Sequence, residues 1–151
     1  MRAVSPPGIL PVMDVMLPGG TKIRATSIAG RGRSDPKPSF GLYMDRAWQP
    51  TWPAETIDWP DFGLPADPER AAQRIEAAYA RAKAGETVEI GCLGGLGRTG
   101  TVLACMAVLA GVPSTEAVSW VRSAYHVEAV ETDAQAAWVR WFAERTRPVS
   151  P

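Results

Sequence analysis

The apolar positions of this chain fall into two textures that meet near residue 66. Before that point short apolar runs are broken by turn formers. Ile9 to Val15 and Lys22 to Ile28 predict strands separated by Pro18-Gly19-Gly20, and Phe40 to Met44 predicts a third. Ten of the fourteen prolines lie in this half, which therefore reads as short strands and loops. Beyond it the period changes. Asp67 followed by Pro68 predicts an N-cap and a first-turn proline. Ala71, Ile75, Ala78 and Ala82 share one helical face, and Gly85 closes the helix. Thr87 to Ile90 predicts a short strand, Gly91 to Gly97 a glycine-rich turn, and Thr101 to Ala110 a buried helix that ends at Gly111. Two more helices are predicted, one from Thr115 to about Ala124 behind Pro113-Ser114 and one from Asp133 to about Glu144. Strand, loop and helix in this order predict an α/β domain with helices packed on a sheet.

Composition narrows the class. A chain of 151 residues with 46% hydrophobic residues holds enough apolar material for one core, so a single domain over 1–151 is expected, with 1–8 and 146–151 as flexible ends. Sixteen Lys+Arg balance sixteen Asp+Glu. The chain therefore has no global attraction for nucleic acid or an anionic membrane, and neither is expected as a partner. Any anion must be held by a local device. The longest apolar run, Val102 to Val112, is about half the ~20 residues a membrane span needs. The first residues lack the apolar stretch of an export signal, so a cytoplasmic location is expected. Two cysteines exclude a disulfide scaffold and are too few for a thiolate zinc site, and a single histidine, His126, argues against Ser-His-Asp chemistry. No cofactor is expected.

The chemistry concentrates in Ile90-Gly91-Cys92-Leu93-Gly94-Gly95-Leu96-Gly97-Arg98-Thr99-Gly100. A strand enters a loop whose glycines let successive backbone N–H groups converge on one anion, and a helix start adds its positive dipole end. Cys92 stands at the mouth of that field, where a thiolate is favoured. Arg98 can fold back and present a planar fork to a phosphate or sulfate. A thiolate facing a bound tetrahedral oxyanion is a nucleophile facing an electrophile. A Walker loop is excluded because no Gly-Lys-Ser/Thr ending is present. Taken one at a time, a glycine-rich turn is a weak signal and a lone cysteine is usually a small buried hydrophobe.

The conjunction of Cys92, Gly95, Gly97, Arg98, Thr99 and Gly100 resembles the signature of the cysteine-dependent protein tyrosine phosphatase superfamily, over residues 35 to 145. The resemblance implies a central mixed sheet flanked by helices. It implies that Cys92 attacks phosphorus and that Leu93, Gly94, Gly95, Leu96 and Gly97 with Arg98 bind the phosphate. Thr99 then assists the thiolate as a leaving group. Trp59-Pro60-Asp61, 31 residues before Cys92 and followed by Phe62-Gly63-Leu64-Pro65, resembles the family's acid loop. Asp61 is the implied general acid, with Asp58 its nearest rival. Thr132-Asp133-Ala134-Gln135 resembles the loop whose glutamine positions the attacking water, although Thr132 and Gln135 are also spaced as a helix capping box. Glu131 is a candidate orienting group beside it.

Two departures stand out. Gly91 occupies the place of a usual histidine, which leaves the Cys92 acidity open, and Tyr125-His126 stands where arginine or proline is more usual. His126 reads as a surface or core histidine. Cys105, 13 residues from Cys92, reads as core packing.

The order of acid before cysteine resembles tyrosine and dual-specificity phosphatases, so the implied activity is metal-independent hydrolysis of phosphotyrosine in proteins, with phosphoserine and phosphothreonine as further substrates. A small-molecule or phosphoinositide phosphatase and a phospho-binding pseudophosphatase stay open as alternatives; the cysteine loop itself carries no lysine. Arg31, Arg33 and Lys37 read as a solvated basic loop or as a docking point for acidic substrates. Tyr43, Trp48 and Trp52 read as pocket walls or as packing on the sheet.

Overall fold

The computed structural model describes residues 12–32, 35–45 and 47–146. The element order is β1 (Met13–Met16), β2 (Lys22–Ser27), β3 (Phe40–Tyr43), β4 (Ala54–Thr56), α1 (Pro68–Lys83), β5 (Val88–Cys92), α2 (Gly97–Leu109), α3 (Ala117–Ala124) and α4 (Asp133–Thr146). The strands form one sheet in the order β1-β2-β5-β3-β4. β1 runs antiparallel to β2, and β5 pairs parallel with β2 and β3, as β3 does with β4, so the sheet is mixed. The fold is α/β, as the sequence predicts.

Every predicted helix is present, with shifted ends. Asp67 caps α1 by accepting the Arg70 N–H, and Pro68 is its first residue. α2 begins at Gly97, four residues before the predicted Thr101. The glycines that suggest a loop lie inside the helix, which packs tight against the 129–131 segment: a side chain on Gly100 would come within 2.6 Å of Ala129 Cβ. α3 starts at Ala117 rather than Thr115, and α4 continues to Thr146. The predicted first strand is shorter, Met13–Met16, and its early part falls outside the described residues, as do 1–8 and 147–151.

β4 carries no sequence signal. It is a three-residue edge strand that exists through its pairing with β3. β5 runs two residues past its predicted end, because Gly91 and Cys92 pair with Thr26 and Ser27 of β2 and Gly91 also pairs with Tyr43 of β3. The nucleophile candidate is therefore the last residue of the central strand. α2 follows it directly, packs on β5 and touches α1, α3 and α4. Leu42, Val88, Ile90, Val102, Leu103, Met106 and Phe142 belong to the buried cluster between these layers. Burying each such side chain is worth about 1.5–3 kcal/mol. The core thereby pins both ends of the loop between β5 and α2.

The other face of the sheet is covered differently. Gly41, Tyr43, Glu89 and Gly91 share it by register. Glu89 is fully buried in the middle strand and receives the Arg31 guanidinium through Nε at 3.1 Å and Nη2 at 3.2 Å, and the Tyr43 hydroxyl at 2.5 Å. Arg31 lies over the Trp52 ring at 4.4 Å, and Trp52 Nε1 donates to the Tyr43 oxygen at 2.8 Å. Arg31 is thus neither a solvated cation nor a free docking group: its charge is consumed by Glu89, a partner 58 residues away that no local pattern marks. Lys37 is exposed, and Arg33 lies outside the described residues. Tyr43, Trp48 and Trp52 form one aromatic cluster packed on this face.

Candidate active site

The loop from Leu93 to Leu96 joins the end of β5 to the start of α2, at the carboxyl ends of the parallel strands. Gly95 adopts φ +79°, and a side chain there would press on the Ser27 backbone at about 3.0 Å. Only glycine allows the turn and the close approach together. Its carbonyl is fixed by the Tyr125 hydroxyl at 2.5 Å. Tyr125, noted in the sequence only as a departure, therefore braces the loop. Burial, with the nearby Cys92 sulfur as the second cause, holds its phenol well above the ordinary tyrosine range. His126 is elsewhere engaged: its Nδ1 accepts the Glu128 N–H.

Cys92 is buried, and its sulfur accepts the Thr99 hydroxyl at 3.0 Å. Cys105 is fully buried inside α2, where burial raises its thiol pKa. Gly91 has no room for the histidine that the resemblance leads one to expect. A Cβ there would lie 2.9 Å from Thr26 Cγ2 and 3.0 Å from Thr26 O.

Arg98, in the first turn of α2, is 6% exposed. Its Nη1 donates to the carbonyl oxygens of Met44 at 2.8 Å and Trp59 at 2.9 Å. Two carbonyls anchor one corner of the guanidinium. Its Nε is buried, has no hydrogen-bond partner, and lies 3.6 Å from Asp61 Oδ1. An unpartnered buried donor on a cation is what an anion site leaves open.

The Trp59–Pro65 segment closes over this corner. Trp59 Nε1 donates to Gly63 O at 2.8 Å and its ring packs against Trp138, 5.3 Å away. Asp61 follows, and its Oδ1 accepts the Phe62 N–H. Asp58 holds the turn from the other side, its carbonyl receiving the Ala66 N–H. Phe62 takes φ +61° and is exposed, as are Leu64 and Leu93. The structure thus brings together Cys92, Arg98, Thr99 and Asp61.

Gln135 is fully buried. Its Oε1 accepts the Glu131 N–H at 2.9 Å, its Nε2 donates to Gly63 O at 3.3 Å, and its own N–H goes to Thr132 Oγ1. Both amide atoms are therefore engaged, and the side chain links the 131–135 turn to the acid loop. Glu131 reaches the phosphate loop itself: its carboxylate accepts the Gly97 N–H and fills the space a side chain at 97 would need. A surface cavity of about 580 Å³, bordered by Lys22, Arg24 and Thr87, lies at the opposite ends of the strands and holds none of these groups.

A mixed sheet whose central strand ends in cysteine, followed by a glycine loop and a helix opening on arginine, defines the fold of the cysteine-dependent phosphatases. The sequence profile described as protein-tyrosine phosphatase matches residues 45–135, and the chain belongs to that family. It is 32% identical over 115 residues to an uncharacterized protein of Methanocaldococcus jannaschii, covering 69% of this chain and 76% of that one. A second uncharacterized protein of the same organism is 34% identical over 111 residues, 65% of this chain and 66% of that protein. Among solved structures, the active form of Tk-PTP is 27% identical, with a TM-score of 0.60 over 70% of this chain and 78% of that one. The kinase-associated phosphatase with its catalytic-site cysteine replaced by serine matches at a TM-score of 0.70, over 90% of this chain and 96% of that one. At 16% identity that likeness speaks for the fold alone. Among the described residues no helix is long and apolar enough to cross a membrane.

Proposed function

We propose that the chain is a phosphomonoester hydrolase working through a cysteinyl-phosphate intermediate, with phosphotyrosine in proteins as its first substrate class. The observation that carries this reading is the buried Arg98 Nε, without a hydrogen bond and 3.6 Å from Asp61 Oδ1, beside the loop that opens at the Cys92 sulfur. In the first step the Cys92 thiolate attacks phosphorus, the phosphorus–oxygen ester bond breaks, and Asp61 gives its proton to the leaving oxygen. Loop amides from Leu93 to Leu96 and the Arg98 fork stabilise the charge on the equatorial oxygens, the Gly97 N–H being engaged by Glu131. In the second step water attacks phosphorus, the sulfur–phosphorus bond breaks, and the Thr99 hydroxyl stabilises the departing thiolate. Gln135 acts as a positioning residue, tying the acid loop to Glu131.

The exposed apolar side chains Phe62 and Leu93, next in sequence to Asp61 and Cys92, support an aromatic phosphate over a sugar or inositol phosphate. All roles are filled by side chains of the chain itself, so turnover is expected in the presence of a chelator. The test is hydrolysis of matched phosphotyrosine and phosphothreonine peptides and an inositol phosphate, with 4-nitrophenyl phosphate as reference. Phosphotyrosine is expected to lead. A preference for the inositol phosphate would remove the protein-phosphatase reading, and absence of turnover on all four would remove the enzyme reading.

A further inference from the structure

A second carboxylate besides Asp61 reaches the edge of the phosphate loop. Glu131 comes against Gly97 from the turn before α4, and four features hold it there. Gly97 carries no side chain at the point where the Glu131 carboxylate lies, and its N–H is donated to that carboxylate. Gln135 Oε1 takes the Glu131 N–H. Arg122 clamps the two preceding carbonyls, Nε to Ala129 O at 2.9 Å and Nη2 to Val130 O at 2.8 Å. Val130 itself sits at φ +64°, a left-handed conformation that a β-branched residue avoids. Such strain costs about 1–3 kcal/mol and persists where the surroundings impose it, most often at sites of function. A plain helix start would need none of this.

We infer that Glu131 is a second proton-handling group of the reaction, sharing with Asp61 the proton that passes to the leaving oxygen and is later taken from water. This rests on the hydrolase reading above. In the forward step the carboxyl proton moves to the ester oxygen as the sulfur–phosphorus bond forms and the phosphorus–oxygen bond breaks. In the return step a water proton moves to the carboxylate as the new phosphorus–oxygen bond forms and the thiolate leaves. The pair is neutral in proton count over one turnover.

The electrostatics agree with this placement. Partial burial, followed by the Asp61 charge, raises the Glu131 pKa above the ordinary glutamate value. The Gly97 amide and Arg98 pull it back and Glu128 adds a small push upward. Those are the groups that face it from the phosphate loop, the acid loop and its own turn. A like charge beside one anion site disfavours ionisation of Glu131, in line with the raised direction of its pKa. The carboxylate with the raised pKa keeps its proton to higher pH and so sets the basic limb of the rate profile.

The experiment compares Asp61→Asn, Glu131→Gln and the double variant on phenyl phosphate, a poor leaving group, with 4-nitrophenyl phosphate as control. Glutamine keeps an oxygen to accept the Gly97 N–H, so a purely structural contact survives. Each single variant is expected to lose about tenfold or less in kcat on phenyl phosphate, and the double variant about 10²–10⁴-fold, the usual worth of general acid catalysis. In Glu131→Gln the basic limb of the kcat profile is expected to move to lower pH. A Glu131→Gln enzyme that matches the wild type in rate and pH profile, and adds nothing to Asp61→Asn, overturns the inference. Acid quench of the wild type separates the two levels. If no phosphocysteine forms, the hydrolase scheme fails; if it forms and Glu131→Gln is silent, only the shared-proton inference fails.

Discussion

The Thr99 hydroxyl donates to the Cys92 sulfur across 3.0 Å, from the first turn of α2 to the last residue of β5. In the proposed mechanism a donor at that place stabilises a thiolate both before attack and when it must leave the phosphorylated enzyme. Hydrogen bonds to charged groups are worth about 1.5–3 kcal/mol. In Thr99→Ala the second step is expected to slow by about tenfold or more, so kcat falls further than kcat/KM. A rapid-quench burst of released phenol shows it. Equal losses in both parameters would move the role of Thr99 to the first step.

Cys92→Ser is expected to abolish turnover of 4-nitrophenyl phosphate while keeping the anion site, because Arg98 and the loop amides are untouched. Calorimetric titration with inorganic phosphate should give an affinity within about tenfold of the wild type. Residual turnover in this variant would remove the covalent scheme.

Arg31→Ala is expected to destabilise the chain strongly. It strips the closest cation from Glu89, which is fully buried in the central strand, and leaves Arg24 at 3.9 Å as the remaining charge. Breaking such a pair costs about 3–5 kcal/mol. For a domain of this size that is a fall in Tm of roughly 10 °C. Lys37→Ala, on the same loop but exposed, should stay within about 0.5 kcal/mol. Thermal unfolding of the two variants side by side distinguishes a structural Arg31 from a surface charge.

Gly91→Ala is expected to cost about 1–3 kcal/mol by overpacking. The added Cβ meets Thr26 Cγ2 at 2.9 Å. Combining it with Thr26→Ser removes that methyl and should recover part of the loss, whereas two additive losses in denaturant titration would place the crowding elsewhere.

Stability should fall as pH rises beyond about 10, the ordinary tyrosine pKa. Tyr43 and Tyr125 both have raised pKa values, burial being the first cause in each. The folded state therefore holds these phenol protons more tightly than the unfolded chain. That contribution is complete below the ordinary pKa and is lost as pH climbs toward the folded value. Tyr125→Phe should flatten the alkaline slope of the unfolding free energy. It should also lower kcat/KM by about fivefold, through the lost brace on Gly95 O.

The local chain determined the phosphate loop, the acid loop and the helices. Cys92 to Gly100 is contiguous, so its glycines, its arginine and the helix that follows stand together by sequence alone. Trp59-Pro60-Asp61 is likewise a short unit, and the α1 start follows from Asp67 and Pro68 alone. Tertiary structure decided the rest. Nothing in Thr87-Val88-Glu89-Ile90 marks Glu89 as buried, and only the arrival of Arg31, 58 residues away, makes it a buried anchor. β4 is a strand because β3 offers it an edge, and positions 97 and 100 of α2 have room only for glycine because Glu131 and Ala129 fill the space where side chains would have been. Glu131 follows the same logic. Its chemistry is written in one letter, but its position at the cradle depends on Arg122, Val130 and Gln135 acting on a backbone far from Cys92 in sequence. Short-range geometry is encoded where the residues stand together, and long-range electrostatics exists only once packing has brought the charges within reach.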